Sequence, residues 1–136
     1  MVWRALRPGG RFVGEFGGYG NVRTILRELE TALIERGLVP PNPWFFPRES
    51  EYQHLLEENG FRVVEIKRFD RPTDLPGDVS GWLATFGKQH LELVPNEDRQ
   101  DLLNDLVDRL RPTLVAESGI WKADYVRIRF LAIKPE

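Results

Sequence analysis

The chain has 136 residues, 41% hydrophobic and 29% charged, with a formal net charge of −2 and no cysteine. This composition suits one globular domain over residues 1–136 and excludes disulfides, thiolate metal sites and a cysteine nucleophile. The only two histidines, His54 and His90, leave little for a histidine-built metal centre, so none is expected. Charges of both signs are interspersed without a basic stripe, no apolar run approaches the ~20 residues that span a bilayer, and no signal-peptide core heads the chain. The expectation is therefore a cytoplasmic protein with neither nucleic acid nor membrane as a partner.

Residues 2–6 read as the last turn of a helix, which Arg7-Pro8-Gly9-Gly10 stops. Arg11 to Phe16 predicts a short strand, followed by a flexible loop at Gly17, Gly18 and Gly20. Asn21 is a suitable N-cap for a helix in which Val22, Ile25, Leu26, Leu29 and Leu33 recur at helical spacing, with Gly37 just past its end. Pro40, Pro41, Pro43 and Pro47 surround Trp44, Phe45 and Phe46, so residues 38–47 predict a stiff aromatic loop.

Arg48 to Asn59 predicts a helix with Tyr52, Leu55 and Leu56 inward, closed by Gly60. Phe61 to Phe69 is rich in β-formers and predicts a strand. Residues 77–93 predict one helix with Val79, Trp82, Leu83 and Phe86 on a common face. Asn96 is placed as the cap of the next helix, which carries Leu102, Leu103, Leu106, Val107 and Leu110 until Pro112 bends or ends it. From Trp121 to Ile133 the pattern alternates, with Val126, Ile128, Phe130 and Ala132 on one side and Tyr125, Arg127, Arg129 and Leu131 on the other. Three strands and about five helical segments give an α/β layer: a small mixed sheet with helices packed on it.

Few side chains point to chemistry. His54, on a glutamate-rich helix, and His90, at a helix end, read as surface residues. Asp98, Asp101, Asp105 and Asp108 share a helix face that reads as solvated, while Trp82 and Trp121 read as core. Arg127 and Arg129 share a strand face with Tyr125, and an arginine fork matches a carboxylate in two places. A salt-bridged sheet face is the plainer reading of that pair.

The run Leu6-Arg7-Pro8-Gly9-Gly10-Arg11-Phe12-Val13 resembles the junction leading into the fifth strand of class I S-adenosylmethionine-dependent methyltransferases. Glu58-Asn59-Gly60-Phe61 and the strand after it resemble the family's approach to its sixth strand. Tyr125 to Lys134 resembles its seventh, which inserts antiparallel between the fifth and sixth. Within the family, Glu15 to Asn21, Asn42 to Pro47 and Trp121 to Tyr125 are similar to trans-aconitate-methyltransferase-like proteins.

The resemblance covers essentially the whole chain and implies the C-terminal, acceptor-side half of a partial Rossmann-like fold. The donor-binding glycine loop and the acidic residue after the second strand would lie upstream of Met1. Gly18-Tyr19-Gly20 lacks the third glycine, since position 23 is Arg23. No cofactor is therefore expected to bind this chain alone, although the complete fold would use S-adenosylmethionine.

The resemblance implies Glu15, Tyr19 and Asn21 as rim residues of a substrate cleft, with Trp44 and Phe45 as apolar wall and Tyr125 and Arg127 as polar contacts. Each also has a purely structural reading: Asn21 as a cap, Glu15 and Tyr19 as surface residues, the aromatics as a plug. A strand at 11–16 without its outer neighbour implies self-association, such as a dimer, through that edge, or pairing with a separate N-terminal half. A truncated, inactive methyltransferase and a non-enzymatic binding or dimerisation module are the two expectations.

Overall fold

A computed structural model describes residues 2–136. The elements in chain order are α1 (Val2–Ala5), β1 (Arg11–Gly17), α2 (Arg23–Glu35), α3 (Glu49–Glu58), β2 (Arg62–Asp74), α4 (Val79–Phe86), α5 (Lys88–Leu91), a 3-10 turn (Asn96–Asp98), α6 (Arg99–Leu114) and β3 (Lys122–Ile133). The three strands form one antiparallel sheet in the order β1-β3-β2. β3 is therefore central, as the family resemblance implied, and runs antiparallel to β1 with Arg11 opposite Ile133 and Gly17 opposite Arg127. β2 extends beyond Phe69 to Asp74 and passes through Pro72. An edge strand tolerates this proline because its missing N–H need not enter the ladder.

The chain falls into two compact units. The first comprises the segments up to Asn21, Phe45–Arg71 and Tyr125–Glu136. Its entry turn follows from chemistry: Pro8 sits at the second position and Gly9, with φ +81°, at the third, while the Gly10 N–H donates to the Arg7 carbonyl. Leu56, Phe61, Phe130 and Ala132 form its buried cluster, with Trp3, Leu6, Phe12, Phe16, Tyr52, Val63 and Ile66 packed around them. Aromatic rings meet edge-on at its centre, Phe12 with Phe130 at 4.8 Å and Phe16 with Tyr52 at 4.6 Å. Gly14, opposite Phe130 in the ladder, leaves room for that ring: a Cβ there would lie 2.7 Å from Phe130 Cε1.

α3 ends as expected. Gly60 takes φ +94°, its N–H reaches the Glu57 carbonyl, and the Phe61 N–H reaches Leu56. Leu55, expected inward, is exposed, because Leu56 and Tyr52 fill the face toward the cluster.

The second unit comprises Val22–Trp44 and Pro72–Asp124. Here Ile25, Leu29 and Leu33 of α2, Val79 and Leu83 of α4, and Leu102, Leu106 and Leu110 of α6 are buried. Gly37 closes α2 at φ +76°, with the Leu38 N–H returning to the Leu33 carbonyl. An ion network joins α2 to α6: Asp105 accepts from Arg36 at 3.1 Å and from Arg109 at 2.9 Å, and Arg109 also pairs with Glu35.

Several boundaries differ from expectation. The single helix at 77–93 is two, α4 and α5, broken at Gly87, whose φ −96°, ψ 15° leaves the helical range. Asp78 caps α4, and Phe86 is largely exposed, stacked at the edge of Trp82. Asn96 opens a 3-10 turn, and Asp98 is the residue that precedes α6. Pro112 lies inside α6, in its last turn, and only two helical residues follow it. Trp82 and Trp121 are core residues, as expected. No helix among the described residues is long and apolar enough to cross a membrane.

Candidate functional site

Most of the expected site residues gather near the carboxyl end of β1. Glu15 lies across the ladder from Arg129. Its Oε1 accepts from Arg129 Nε at 3.1 Å and Nη2 at 2.8 Å, while Oε2 is 3.4 Å from Arg71 Nη1 and 3.5 Å from Arg127 Nε. The Arg129 hydrogen bond, aided by the charges of Arg71, Arg129 and Arg127, holds the Glu15 carboxyl below the usual carboxylate range against an opposing desolvation. Arg127 is thus part of a salt-bridged sheet face, the plainer of its two readings.

The loop after β1 is held at two points. The Gly18 N–H donates to the Val126 carbonyl at 2.9 Å, and the Val126 N–H donates to Asn21 Oδ1 at 2.9 Å. Asn21 is therefore not the cap of α2. It is buried and ties the loop to β3 between Tyr125 and Arg127, where Tyr125 is half-buried. The Tyr19 N–H donates to the Pro47 carbonyl, and the Tyr19 ring lies under the Arg48 guanidinium at 4.0 Å, with Arg68 at 5.6 Å. Arg68 also bonds the Tyr19 carbonyl at 2.9 Å and Glu49 at 3.1 Å.

The loop glycines serve packing. A Cβ on Gly17 would lie 2.7 Å from Asn21 Nδ2 and 2.9 Å from Phe46, and one on Gly18 would lie 2.7 Å from Ile128. They do not form a backbone cradle open to a nucleotide-like ligand, so the loop does not fit the donor S-adenosylmethionine.

The true cap of α2 comes from far along the chain. Asp124 Oδ2 accepts from the Thr24 N–H at 3.0 Å and from Thr24 Oγ1 at 2.8 Å, and the Asp124 carbonyl accepts from the Val22 N–H. Val22 itself takes φ 46°, ψ 34°, a left-handed conformation unusual for a β-branched residue. That costs roughly 1–2 kcal/mol, while full burial of a valine side chain returns about 1.5–3 kcal/mol, and Val22 is almost fully buried. Burial wins, and the strain persists.

The two aromatics diverge in environment. Trp44 stacks on His90, with ring centroids 5.0 Å apart and 15° between planes. His90, expected at the surface, is only 1% exposed. Burial lowers its pKa, opposed by a bond to the Pro41 backbone and by Glu30. Phe45 is 63% exposed. His54 is exposed, as expected, and lies 2.9 Å from Glu58. No metal-binding cluster of histidine and acidic side chains occurs among the described residues.

Sequence reasoning missed Arg71, Arg48 and Arg68, which come from other segments, and Asp124, whose partner is 100 residues away. For Arg71 a signal existed, since period two carried past Phe69 places it on the arginine face. For Asp124 none did.

No family model matches the chain. It is 37% identical over 139 aligned positions to an uncharacterized methyltransferase of Schizosaccharomyces pombe, covering 98% of this chain and 53% of that protein. Among solved structures it is similar to a Bacillus halodurans protein provisionally assigned as a methyltransferase, with TM-score 0.48, 15% identity, and 98% of this chain and 55% of that one covered. It is also similar to the YcgJ protein of Bacillus subtilis, with TM-score 0.47, 17% identity, and 99% and 55% covered. The chain spans about half the length of the curated relative it matches. With 37% identity sustained along nearly its whole length, the chain is similar to about half of that methyltransferase.

Proposed function

We propose that this chain is the acceptor-side half of an S-adenosylmethionine-dependent, cytoplasmic methyltransferase acting on a small molecule such as a carboxylic acid, and that it is inactive without a donor-binding half. One observation carries the reading: a central antiparallel strand, β3, between β1 and β2, in a chain matching 53% of a methyltransferase. Methyl transfer asks mainly for positioning and exclusion of water, because the sulfonium is already activated. Glu15, Tyr19, Asn21, Tyr125 and Arg127 would belong to the acceptor rim, and Phe45 to its apolar wall.

β1 is an edge strand of this sheet. Its unpaired side would take either a strand of the donor-binding half or a second copy of the chain. Phe45, exposed in a proline-stiffened loop, supports a second reading in which the chain is a non-enzymatic binding or dimerisation module.

Calorimetric titration of the purified chain with S-adenosylmethionine and S-adenosylhomocysteine tests the first reading. No heat is expected at ~100 μM ligand, where a micromolar site would show. Adding the donor half of the full-length relative should then restore methyl transfer. One-to-one binding by the chain alone would overturn the placement of the donor site, and failure to gain activity with the donor half would favour the binding module.

A further inference from the structure

The second unit carries a cleft of about 250 Å³ beside the start of α2. Pro72, Leu114 and Ala116 give it apolar wall, and Thr24, Lys122 and Asp124 give it polar groups. That is the make-up of a small-ligand site, with room for a small organic molecule. Asp124 is held at both main chain and side chain. Its carbonyl accepts from the Val22 N–H at 3.0 Å, and its Oδ2 accepts twice from Thr24.

The charge of Asp124 is left unanswered. Its second oxygen, Oδ1, is buried and accepts no hydrogen bond among the described residues. Both donors on Oδ2 are neutral groups of Thr24. The cation of the lining, Lys122, is engaged elsewhere, 2.7 Å from Asp74 Oδ1. An unpartnered buried carboxylate oxygen is costly, and beside apolar walls its attraction for a cation is less screened than in water.

We propose that this cleft binds a small organic ammonium ion, with Asp124 as its counter-ion. The lining selects the ligand. An ammonium group brings both the positive charge and the N–H donors that Asp124 lacks, once a small side-chain shift uncovers Oδ1. Pro72, Leu114 and Ala116 receive a short apolar body. An anion would meet the carboxylate with like charge. A divalent metal ion would need about six oxygen ligands, and Asp124 is the one acid among the described lining residues. The cleft shares no residue with the acceptor rim proposed above and needs no methyl donor, so it stands apart from the methyl-transfer reading.

The test is titration of the full chain with n-butylammonium chloride at constant ionic strength and about pH 7.5, where an alkylammonium stays charged. Backbone amide signals of Thr24, Ala116 and Asp124 should shift saturably. Sodium butyrate and 1-butanol, with a similar body and no positive charge, should bind about tenfold more weakly or less. Asp124→Asn should weaken binding by about tenfold or more, the worth of a charge-assisted hydrogen bond. Ala116→Leu, which narrows the cleft and leaves Asp124 in place, should weaken it by a similar factor, and it decides the matter if Asp124→Asn does not fold. Asp101→Asn, the same charge change at an exposed position of α6 outside the lining, should leave the affinity unchanged.

Nα-acetyl-lysine N-methylamide binding more tightly than n-butylammonium would identify a peptide lysine as the source, and binding no tighter would identify a free amine; both support the site. Equal binding of 1-butanol, an unchanged affinity in folded Asp124→Asn or in Ala116→Leu, or equal weakening by Asp101→Asn would each overturn it.

Discussion

Asp124 caps the helix that Thr24 begins, accepting from both its N–H and its hydroxyl across 100 residues of chain. Truncating a cap of this kind costs roughly 1–2 kcal/mol. Asp124→Ala should therefore lower unfolding stability by about that amount, and Thr24→Val, which keeps the N–H bond, by less. Urea denaturation of the single and double variants measures this. The double loss should be smaller than the sum, because both changes remove the same bond; full additivity would mean that the bond contributes nothing.

Gly14→Ala should destabilise the first unit. Its Cβ would enter the Phe130 ring at 2.7 Å, an overpacking that costs typically ~1–3 kcal/mol. Phe130→Leu alone also destabilises, by leaving a void. In the Gly14→Ala/Phe130→Leu double variant part of the loss should be recovered, and thermal unfolding of the four proteins would show it as a favourable coupling.

His90 makes stability depend on pH. Burial depresses its folded pKa below the ordinary 6.5. Below that value the unfolded chain binds a proton that the folded chain resists, so stability falls as pH drops from 6.5 toward the folded pKa. His90→Phe keeps a ring against Trp44 and removes the proton site. Melting temperatures of the two proteins between pH 7.5 and about 5 should diverge, with the wild type falling more steeply; parallel curves would place the titration elsewhere.

Glu15 owes its depressed pKa first to the Arg129 hydrogen bond. Arg129→Gln should therefore move the Glu15 carboxyl up toward its ordinary 4.5, read from its side-chain carbon shift against pH. An unmoved titration would mean that Arg71 and Arg127 suffice.

If β1 is a free association edge, Val13→Lys should reduce self-association without unfolding the chain. Val13 is 63% exposed on that strand, and lysine on an edge discourages pairing. Sedimentation across a concentration series decides: a wild type that stays monomeric throughout leaves nothing for the substitution to reduce and removes the idea.

The fold was legible where the signal was local. Period two marked β3 from Val126 to Ala132, period 3.6 marked Ile25, Leu29 and Leu33, and Gly37 and Gly60 marked helix ends because only a glycine adopts those φ values freely. What failed was decided by distant residues. Asn21 has the chemistry of a cap, but Val126 offers it a better-placed N–H, and Asp124 takes the capping role. His90 follows a polar helix end in sequence, yet Trp44 and the Pro41 backbone enclose it. Gly87 is one breaker among helix-compatible neighbours, and its departure from helical backbone angles splits the segment. Of the candidate site, Glu15 and Arg127 do meet, but the third and fourth members of their cluster depend on sheet order.

Lys134 donates to the carbonyls of Trp3 and Leu6 at 2.8 and 3.0 Å, so α1 and the residue following β3 lie side by side. A short linker from Glu136 back to the first helix would close the polypeptide into a ring with little disturbance. The chain should then accept new ends in the exposed stretch around Val39, and such a circular permutant would keep the same sheet while presenting its strands in a different order of synthesis.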